Sequence, residues 1–127
     1  MEMNELTEQV IGACIEVHRT IGPGLLESAY RKCLCHELKL RAIQFQPEVI
    51  LPVTYKGLIL DSAYRVDLLI EHRLVVELKT AEKILPVHKA QLLTYLRLGN
   101  WPVGLLINFN VSVLKDGITR MVHDFKS

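Results

Sequence analysis

Ionisable residues interrupt two short apolar stretches in the middle of the chain. Asp67 lies within the stretch 64–70, and Glu77 and Lys79 lie within the stretch 74–79. Side chains alternate along a β-strand, so Glu77 and Lys79 would share one face of theirs. A carboxylate and an ammonium are costly to bury unless they pair or coordinate something. The pattern therefore predicts either a functional site or a buried ion pair.

Asp67 and Glu77 are the first candidates for holding a metal ion. If their two strands form a hairpin, the two carboxylates lie close together across the ladder. There they repel, and each raises the pKa of the other. A divalent cation relieves that conflict, and magnesium is usually held by one or two carboxylates, with water and phosphate oxygens completing its shell. Lys79 would then place positive charge beside a reacting phosphoryl group. This arrangement predicts a phosphodiesterase dependent on Mg²⁺ or Mn²⁺, with Asp67, Glu77 and Lys79 as catalytic residues.

The same three residues allow a second interpretation, in which Lys79 forms an ion pair with Glu77 or with Asp67 at a sheet edge. Ion-pair networks produce such patterns without any catalytic role. Spacing alone leaves both interpretations open. The apolar setting of both predicted strands favours the functional site.

Two predicted helices carry further candidates. His88, Gln91 and Tyr95 are spaced i, i+3, i+7, so they share one helical face. Gln91 and Tyr95 could bring hydrogen-bonding groups to the sheet, and a solvated polar stripe is the alternative. Glu27 borders an apolar stripe in the first turn of another helix, where an acid is favoured by the helix dipole whatever its function. His18 has apolar neighbours and is expected to be a hydrogen-bonded core histidine and not a ligand.

The elements that must position these residues follow from the hydrophobic period. Three segments have helical spacing, namely 4–20, Leu25–Leu40 and Val87–Leu98. Six segments are typical of strands: Glu48–Tyr55, Leu58–Leu60, Arg65–Ile70, Leu74–Thr80, Val103–Phe109 and Ile118–Val122. Lys56-Gly57 is a turn between the first two. The order α-α-β-β-β-β-α-β-β predicts one α/β domain over residues 1–127, with a central mixed β-sheet flanked by α-helices.

Composition limits the class of protein. The chain is 50% hydrophobic and 23% charged, which is typical of a globular domain. It contains no apolar run near the ~20 residues that span a bilayer, and its polar N-terminus does not resemble a secretory signal, so the cytoplasm is the expected location. Cys14, Cys33 and Cys35 are expected to be free and at least half-buried. A net charge of +1 argues against a protein that coats nucleic acid by charge alone.

The candidate residues also fall within a pattern known from a protein family. The segment His18–Tyr30, with Gly24, Glu27 and Tyr30 at the named positions, resembles the signature of the GxxExxY proteins, which are placed in the PD-(D/E)XK nuclease superfamily. The similarity covers almost the whole chain, through 64–69, 76–79, 91–96 and 103–109. It implies the restriction-endonuclease-like core of that superfamily, an α/β fold.

The resemblance implies a role for each residue. Glu27, Asp67 and Glu77 match the carboxylates that hold metal, and Lys79 matches the catalytic lysine. Gln91 and Tyr95 match the Q-x-x-x-Y element that lines the site in RecB-like members. Val66 stands where the superfamily motif has proline, a position at which replacement is common.

Two functions are consistent with this family. The first is a nuclease that uses Mg²⁺ or Mn²⁺ and cleaves phosphodiester bonds in DNA or RNA, DNA being the more expected substrate. The second is a catalytically silent module that binds nucleic acid or serves as an adaptor on the same scaffold. No membrane partner is expected, and a homodimer or a larger complex is left open as the assembly.

Overall fold

The computed structural model describes residues 1–123, apart from the side chains of residues 62 and 63. Its helices are α1 (Met3–Ile21), α2 (Glu27–Leu40) and α3 (Pro86–Gly99). Its strands are β1 (Phe45–Tyr55), β2 (Leu58–Ile70), β3 (Leu74–Lys79), β4 (Val103–Asn108) and β5 (Ile118–Val122), with a 3₁₀ turn at Leu114–Gly117 before β5.

The strands form one mixed sheet in the order β1-β2-β3-β4-β5. Neighbours pair antiparallel except β3 and β4, which run parallel. A parallel pair needs a long crossover connection, and α3 supplies it. The predicted α/β class with a central mixed sheet is thereby confirmed.

Helices cover both faces of the sheet. Helices α1 and α2 pack on one face, against alternate residues of the inner strands such as Val76 and Leu105. Helix α3 packs on the other face, where Val75 and Leu106 join Leu92 in a second apolar cluster. Strands β3 and β4 read as continuous apolar runs because both of their faces are buried.

The prediction of two separate strands between residues 58 and 70 was wrong. Leu58–Ile70 is a single strand of 13 residues that pairs with β1 along its length. Leu51 pairs with Tyr64 and Val53 pairs with Leu60, so the pairing register shifts between them. This shift accommodates residues 61–63 of β2, which interrupt the apolar pattern, without ending the strand. Strand β1 also begins earlier than predicted, at Phe45, and its Pro47 is tolerated because β1 is an edge strand.

The predictions for the cysteines and for His18 are confirmed. All three cysteines are free, and burial raises the pKa of the Cys14 thiol to about 12. His18 is buried, and its Nε2 lies 2.8 Å from the carbonyl oxygen of Val111. Among residues 1–123, no helix combines the length and the apolar character that crossing a membrane requires.

Candidate metal centre

Asp67 and Glu77 are held together where strands β2 and β3 separate. The ladder between these strands ends with the pair Leu68 and Val76, one position before Asp67 and Glu77 would pair. Beyond this last pair, carboxylates accept the hydrogen bonds from the backbone. The Asp67 N–H donates to Glu77 Oε1 at 2.9 Å, and the Leu78 N–H donates to Asp67 Oδ2 at 2.8 Å. Each carboxylate is therefore fixed by the backbone of the opposite strand, as the hairpin prediction required.

The pleat of β2 is interrupted at Asp67. Val66 packs in the α3 cluster, whereas Leu68, two residues later, packs in the α1–α2 cluster. On β1, Glu48 has a φ of 52° and is missing from the ladder between Pro47 and Val49. A left-handed conformation is uncommon outside glycine, and such outliers cluster at functional sites. Glu48 and Asp67 are therefore residues at which the ladder between β1 and β2 is interrupted.

Glu77 is the most perturbed acid of the described chain. Its residue surface is only 5% exposed. Burial, followed by the charge of Asp67, raises the pKa of Glu77 to about 9, against a smaller opposing effect of Lys79. Two adjacent carboxyls in a poorly solvated site cannot both ionise cheaply. Without a cation, burial and the neighbouring carboxylate therefore favour the protonated form of the Glu77 carboxyl.

The ion partner of Asp67 is Arg31 of helix α2. Arg31 Nη1 lies 3.9 Å from Asp67 Oδ1, and Arg31 Nη2 lies 3.7 Å from Glu48 Oε1. Within residues 1–123, Lys79 forms neither of the ion pairs considered from sequence, and it acts on Glu77 and Glu27 only as a nearby charge. Lys79 therefore adds positive charge near the acids without an ion pair to Asp67 or Glu77.

Glu27 approaches the same acids from helix α2. Burial and then the charge of Asp67 raise its pKa, while Lys79 and Arg31 lower it. Its position depends on Tyr30, whose hydroxyl donates to the carbonyl of Gly22 at 2.6 Å and accepts the Leu25 N–H at 3.2 Å. The Tyr30 ring stacks on Phe109 with centroids 4.4 Å apart. Tyr30 thus ties down the loop that leads into Glu27.

We predict that Tyr30→Phe lowers the free energy of unfolding by about 1–3 kcal/mol, because the Gly22 carbonyl and the Leu25 N–H lose their shared partner. Urea denaturation of both proteins measures the change. The stacked ring is retained in phenylalanine, so an unchanged midpoint would show that the hydroxyl does not hold the loop.

Tyr95 is the residue of α3 that reaches the acids. It is buried against the sheet, and its pKa is raised by burial and then by Glu77, Asp67 and Tyr64, with a hydrogen bond to Gln91 acting in the opposite direction. Gln91 is itself exposed and adjoins the site through Tyr95.

His88, on the same predicted face of α3, has a structural role. Its Nδ1 accepts the Leu85 N–H at 3.0 Å and so caps the start of the helix. Of the residues predicted to share this face, His88 caps the helix, whereas Tyr95 lies near the acid pair.

Asn108 is a positioning residue that the sequence interpretation missed. It lies opposite Lys79 in the parallel ladder and is only 2% exposed. Its Oδ1 accepts the Ala81 N–H at 3.1 Å and its Nδ2 donates to the Ala81 carbonyl at 2.9 Å, so it fixes the chain directly after Lys79. A lone amide inside the apolar run 103–109 was the available signal, because a buried amide must find partners.

The donor chemistry of the acid pair fits a hard divalent cation. Asp67 and Glu77 offer carboxylate oxygens, and Mg²⁺ needs only one or two of these from the protein. In the part of the chain described, no three His, Cys, Asp or Glu side chains are grouped closely enough to form a metal site. The set Glu27, Asp67 and Glu77 therefore stays a prediction.

A cavity among the described residues lies away from the acid pair. It has a volume of about 580 Å³ and lies at the β2–β3 turn, where Phe45, Leu69 and His72 are among its lining residues. The carboxylates are at the opposite end of the β2–β3 pairing. Side-chain chemistry, and not cavity volume, identifies the candidate site.

Comparison with known proteins gives one match. A family model described as the PD-(D/E)XK nuclease superfamily matches residues 4–121, from α1 into β5. This range includes Glu27, Asp67, Glu77, Lys79 and Tyr95. No curated protein and no solved structure gives a significant match to the chain.

Proposed function

Because the chain belongs to the PD-(D/E)XK nuclease superfamily, we propose that it is a metal-dependent nuclease that cleaves phosphodiester bonds in nucleic acid, DNA in preference to RNA. The observation that carries the proposal is the acid pair itself. Asp67 and Glu77 are fixed by reciprocal backbone hydrogen bonds, and Lys79 stands beside them without an ion pair to either. The carboxylates satisfy two backbone N–H groups, but burying two acids side by side costs free energy that a bound cation would offset.

The proposed site assigns a task to each side chain. Asp67 and Glu77 would hold Mg²⁺ or Mn²⁺, and Glu27 would bind through water from α2. A bound divalent cation supplies Lewis-acid activation of the phosphodiester. Lys79 balances the negative charge that grows on the phosphoryl oxygens. Tyr95 and Gln91 offer hydrogen bonds at the rim of the site.

The narrower identity belongs to the proposal as well. The loop at 22–25 anchored by Tyr30 supports the GxxExxY assignment, and the contact of Gln91 and Tyr95 supports the RecB-like element. We place the protein in the cytoplasm as a single domain over 1–127, in keeping with three free cysteines.

A silent nucleic-acid-binding module is the second candidate. The observation that favours it is the Arg31 guanidinium, which already neutralises Asp67 in the absence of metal. A near-neutral net charge gives little affinity for a polyanion, so an adaptor role on the same scaffold belongs to this alternative. Such a module would bind DNA equally well with a chelator present and would leave the DNA intact.

Calorimetric titration of Mg²⁺ and Mn²⁺, with and without a short duplex, tests the proposal. We expect binding heat in the wild-type protein that disappears in Glu77→Ala, and metal-dependent cleavage of a labelled DNA that disappears with it. Glu82→Ala, which removes an exposed acid beyond the end of β3, is the matched control. If wild type and Glu77→Ala both fail to bind metal even with DNA present, the acids are an ion-pair network and the binding module is the better description.

The assembly is a separate part of the proposal. A closed two-fold dimer would bring two sites to the two strands of a duplex, and such dimers are the commonest soluble oligomers. Sedimentation at micromolar concentration decides the point. A strict monomer would leave only the larger complex as an alternative assembly.

A further inference from the structure

The hairpin formed by residues 49–66 extends beyond the rest of the sheet. Strand β3 pairs with β2 from Leu68 to Ile70, so within residues 1–123 the outer parts of β1 and β2 have only each other as strand partners. An isolated two-stranded hairpin is marginally stable in water, so its exposed faces are candidates for contact with a ligand. We call this segment the outer hairpin.

On one face of the outer hairpin, every position that the strand ladder pairs is apolar or aromatic. Cross-strand partners share a face, and alternate residues of a strand share a face. The ladder therefore places eight side chains together: Val49, Leu51, Val53, Tyr55, Leu58, Leu60, Tyr64 and Val66. Helix α3 covers the inner end of this face, whereas Tyr55, Leu58 and Tyr64 are 63%, 59% and 42% exposed.

The apolar face begins at the acid pair. Val75 packs in the α3 cluster, and Glu77 follows two residues later on β3, so both point to the side of α3. Tyr64 meets Tyr95 edge to face, with ring centroids 6.3 Å apart and planes at 62°. Tyr95 in turn lies within the electrostatic reach of Glu77 and Asp67. Tyr64 is thus a half-exposed aromatic ring at the edge of the proposed site.

The half-exposed ring of Tyr64 suits a nucleobase and not a phosphate backbone. The outer hairpin holds two cations: Lys56 lies in the turn at the far end, and Arg65, which follows Tyr64 and so lies on the opposite face, forms an ion pair with Glu48 at 3.6 Å. A duplex presents phosphates outward and keeps its bases stacked inside, whereas an unpaired strand offers base faces to aromatic side chains. Building on the proposed function, we propose that Tyr64 stacks on an unpaired base next to the cleaved phosphate, and that single-stranded nucleic acid is the substrate class.

Tyr64→Leu is the variant that tests the stacking, since leucine keeps the apolar contact with Tyr95 and removes the aromatic face. Tyr55→Leu is the matched control: Tyr55 is on the same face but four residues further out, roughly 13 Å along the strand. Tyr64→Trp restores a stacking surface and serves as the rescue.

Binding is measured by fluorescence anisotropy with a labelled single-stranded DNA in chelator, and cleavage is measured separately with Mg²⁺. We expect Tyr64→Leu to weaken single-strand binding about tenfold to a hundredfold, with Tyr64→Trp near wild type and Tyr55→Leu unchanged. In cleavage, KM should rise by a similar factor with kcat within about twofold, because the stack is made equally in ground and transition states. The wild type should prefer the single strand to the same strand in a blunt duplex.

The result identifies which idea fails. Equal binding by wild type and Tyr64→Leu, or a wild-type preference for duplex, overturns the stacking role even if cleavage is robust. Tyr64-dependent binding without any metal-dependent cleavage supports the stacking role and overturns the nuclease. If the outer hairpin instead joins two copies of the chain, sedimentation will show a wild-type dimer that Tyr55→Leu or Leu58→Asp dissociates, and the proposal is again overturned.

Discussion

Asp67→Asn is expected to abolish measurable metal binding and to lower the cleavage rate about 10³-fold or more, a loss of at least roughly 4 kcal/mol of transition-state stabilisation. Asparagine can still accept the Leu78 N–H through its Oδ1, so the bond that holds this side chain to β3 survives. The charge is what disappears, and with it both the metal ligand and the partner of Arg31. The fold should therefore persist while the function is lost.

Calorimetry with Mg²⁺ measures the first effect and a gel assay with labelled DNA measures the second. Asp61→Asn is the matched control, because Asp61 is an exposed acid on the same strand. Circular dichroism should give the same spectrum for all three proteins. Retention of full cleavage by Asp67→Asn would mean that the acid pair is not the catalytic centre.

Strand periodicity was sufficient to predict the acid pair. Alternation placed Glu77 and Lys79 on one face, and the short interval 71–73 between two apolar runs predicted the hairpin that brings Asp67 to Glu77. Both inferences depend on local geometry, which the sequence specifies directly. The mixed sheet was predicted from the order of helices and strands, because a sheet flanked by helices buries that order of elements.

The partners that come from distant parts of the chain were not predictable. Arg31 reaches Asp67 from helix α2, and nothing in its spacing from β2 indicates that contact. The left-handed Glu48 on β1 was equally hidden, because a register position with no ladder partner has no sequence signature. Tyr64 read as an ordinary strand residue until its neighbour Tyr95 was in place. The surroundings of Arg31, Glu48 and Tyr64 depend on contacts between elements that are distant in sequence, and so they could not be predicted from local patterns.

The long strand β2 shows why one element was divided incorrectly. Polar residues between Leu60 and Arg65 break the apolar alternation, which is the usual signal for a turn. In a hairpin that projects away from the sheet, a polar residue such as Asp61 can face solvent without ending the strand. The interruption was a sign of exposure and not of a chain reversal.

Glu77→Gln is expected to stabilise the metal-free protein, most strongly above neutral pH. The pKa of Glu77 is raised in the folded protein from 4.5 to about 9, so its stabilising contribution is complete below about pH 4.5 and is lost as the pH rises toward 9. The loss approaches about 1.4 kcal/mol per pH unit inside that window. Glutamine does not titrate, and its Oε1 can still accept the Asp67 N–H. The variant should therefore be destabilised much less by alkaline pH.

Thermal unfolding in chelator at several pH values between 5 and 9 measures this effect, and the difference between wild type and variant cancels the titration of all other groups. At pH 8 we expect Glu77→Gln to have a Tm higher by an amount on the order of 10 °C. Excess Mg²⁺ should raise the Tm of the wild type and leave that of the variant unchanged, because only the wild type retains the ligand. Glu82→Gln, an exposed acid, should follow the wild type at every pH. If Tm changes with pH in the same way for Glu77→Gln and the wild type, Glu77 is ionised in the folded protein across this range. The buried acid pair would then have no unfavourable repulsion for a metal ion to offset.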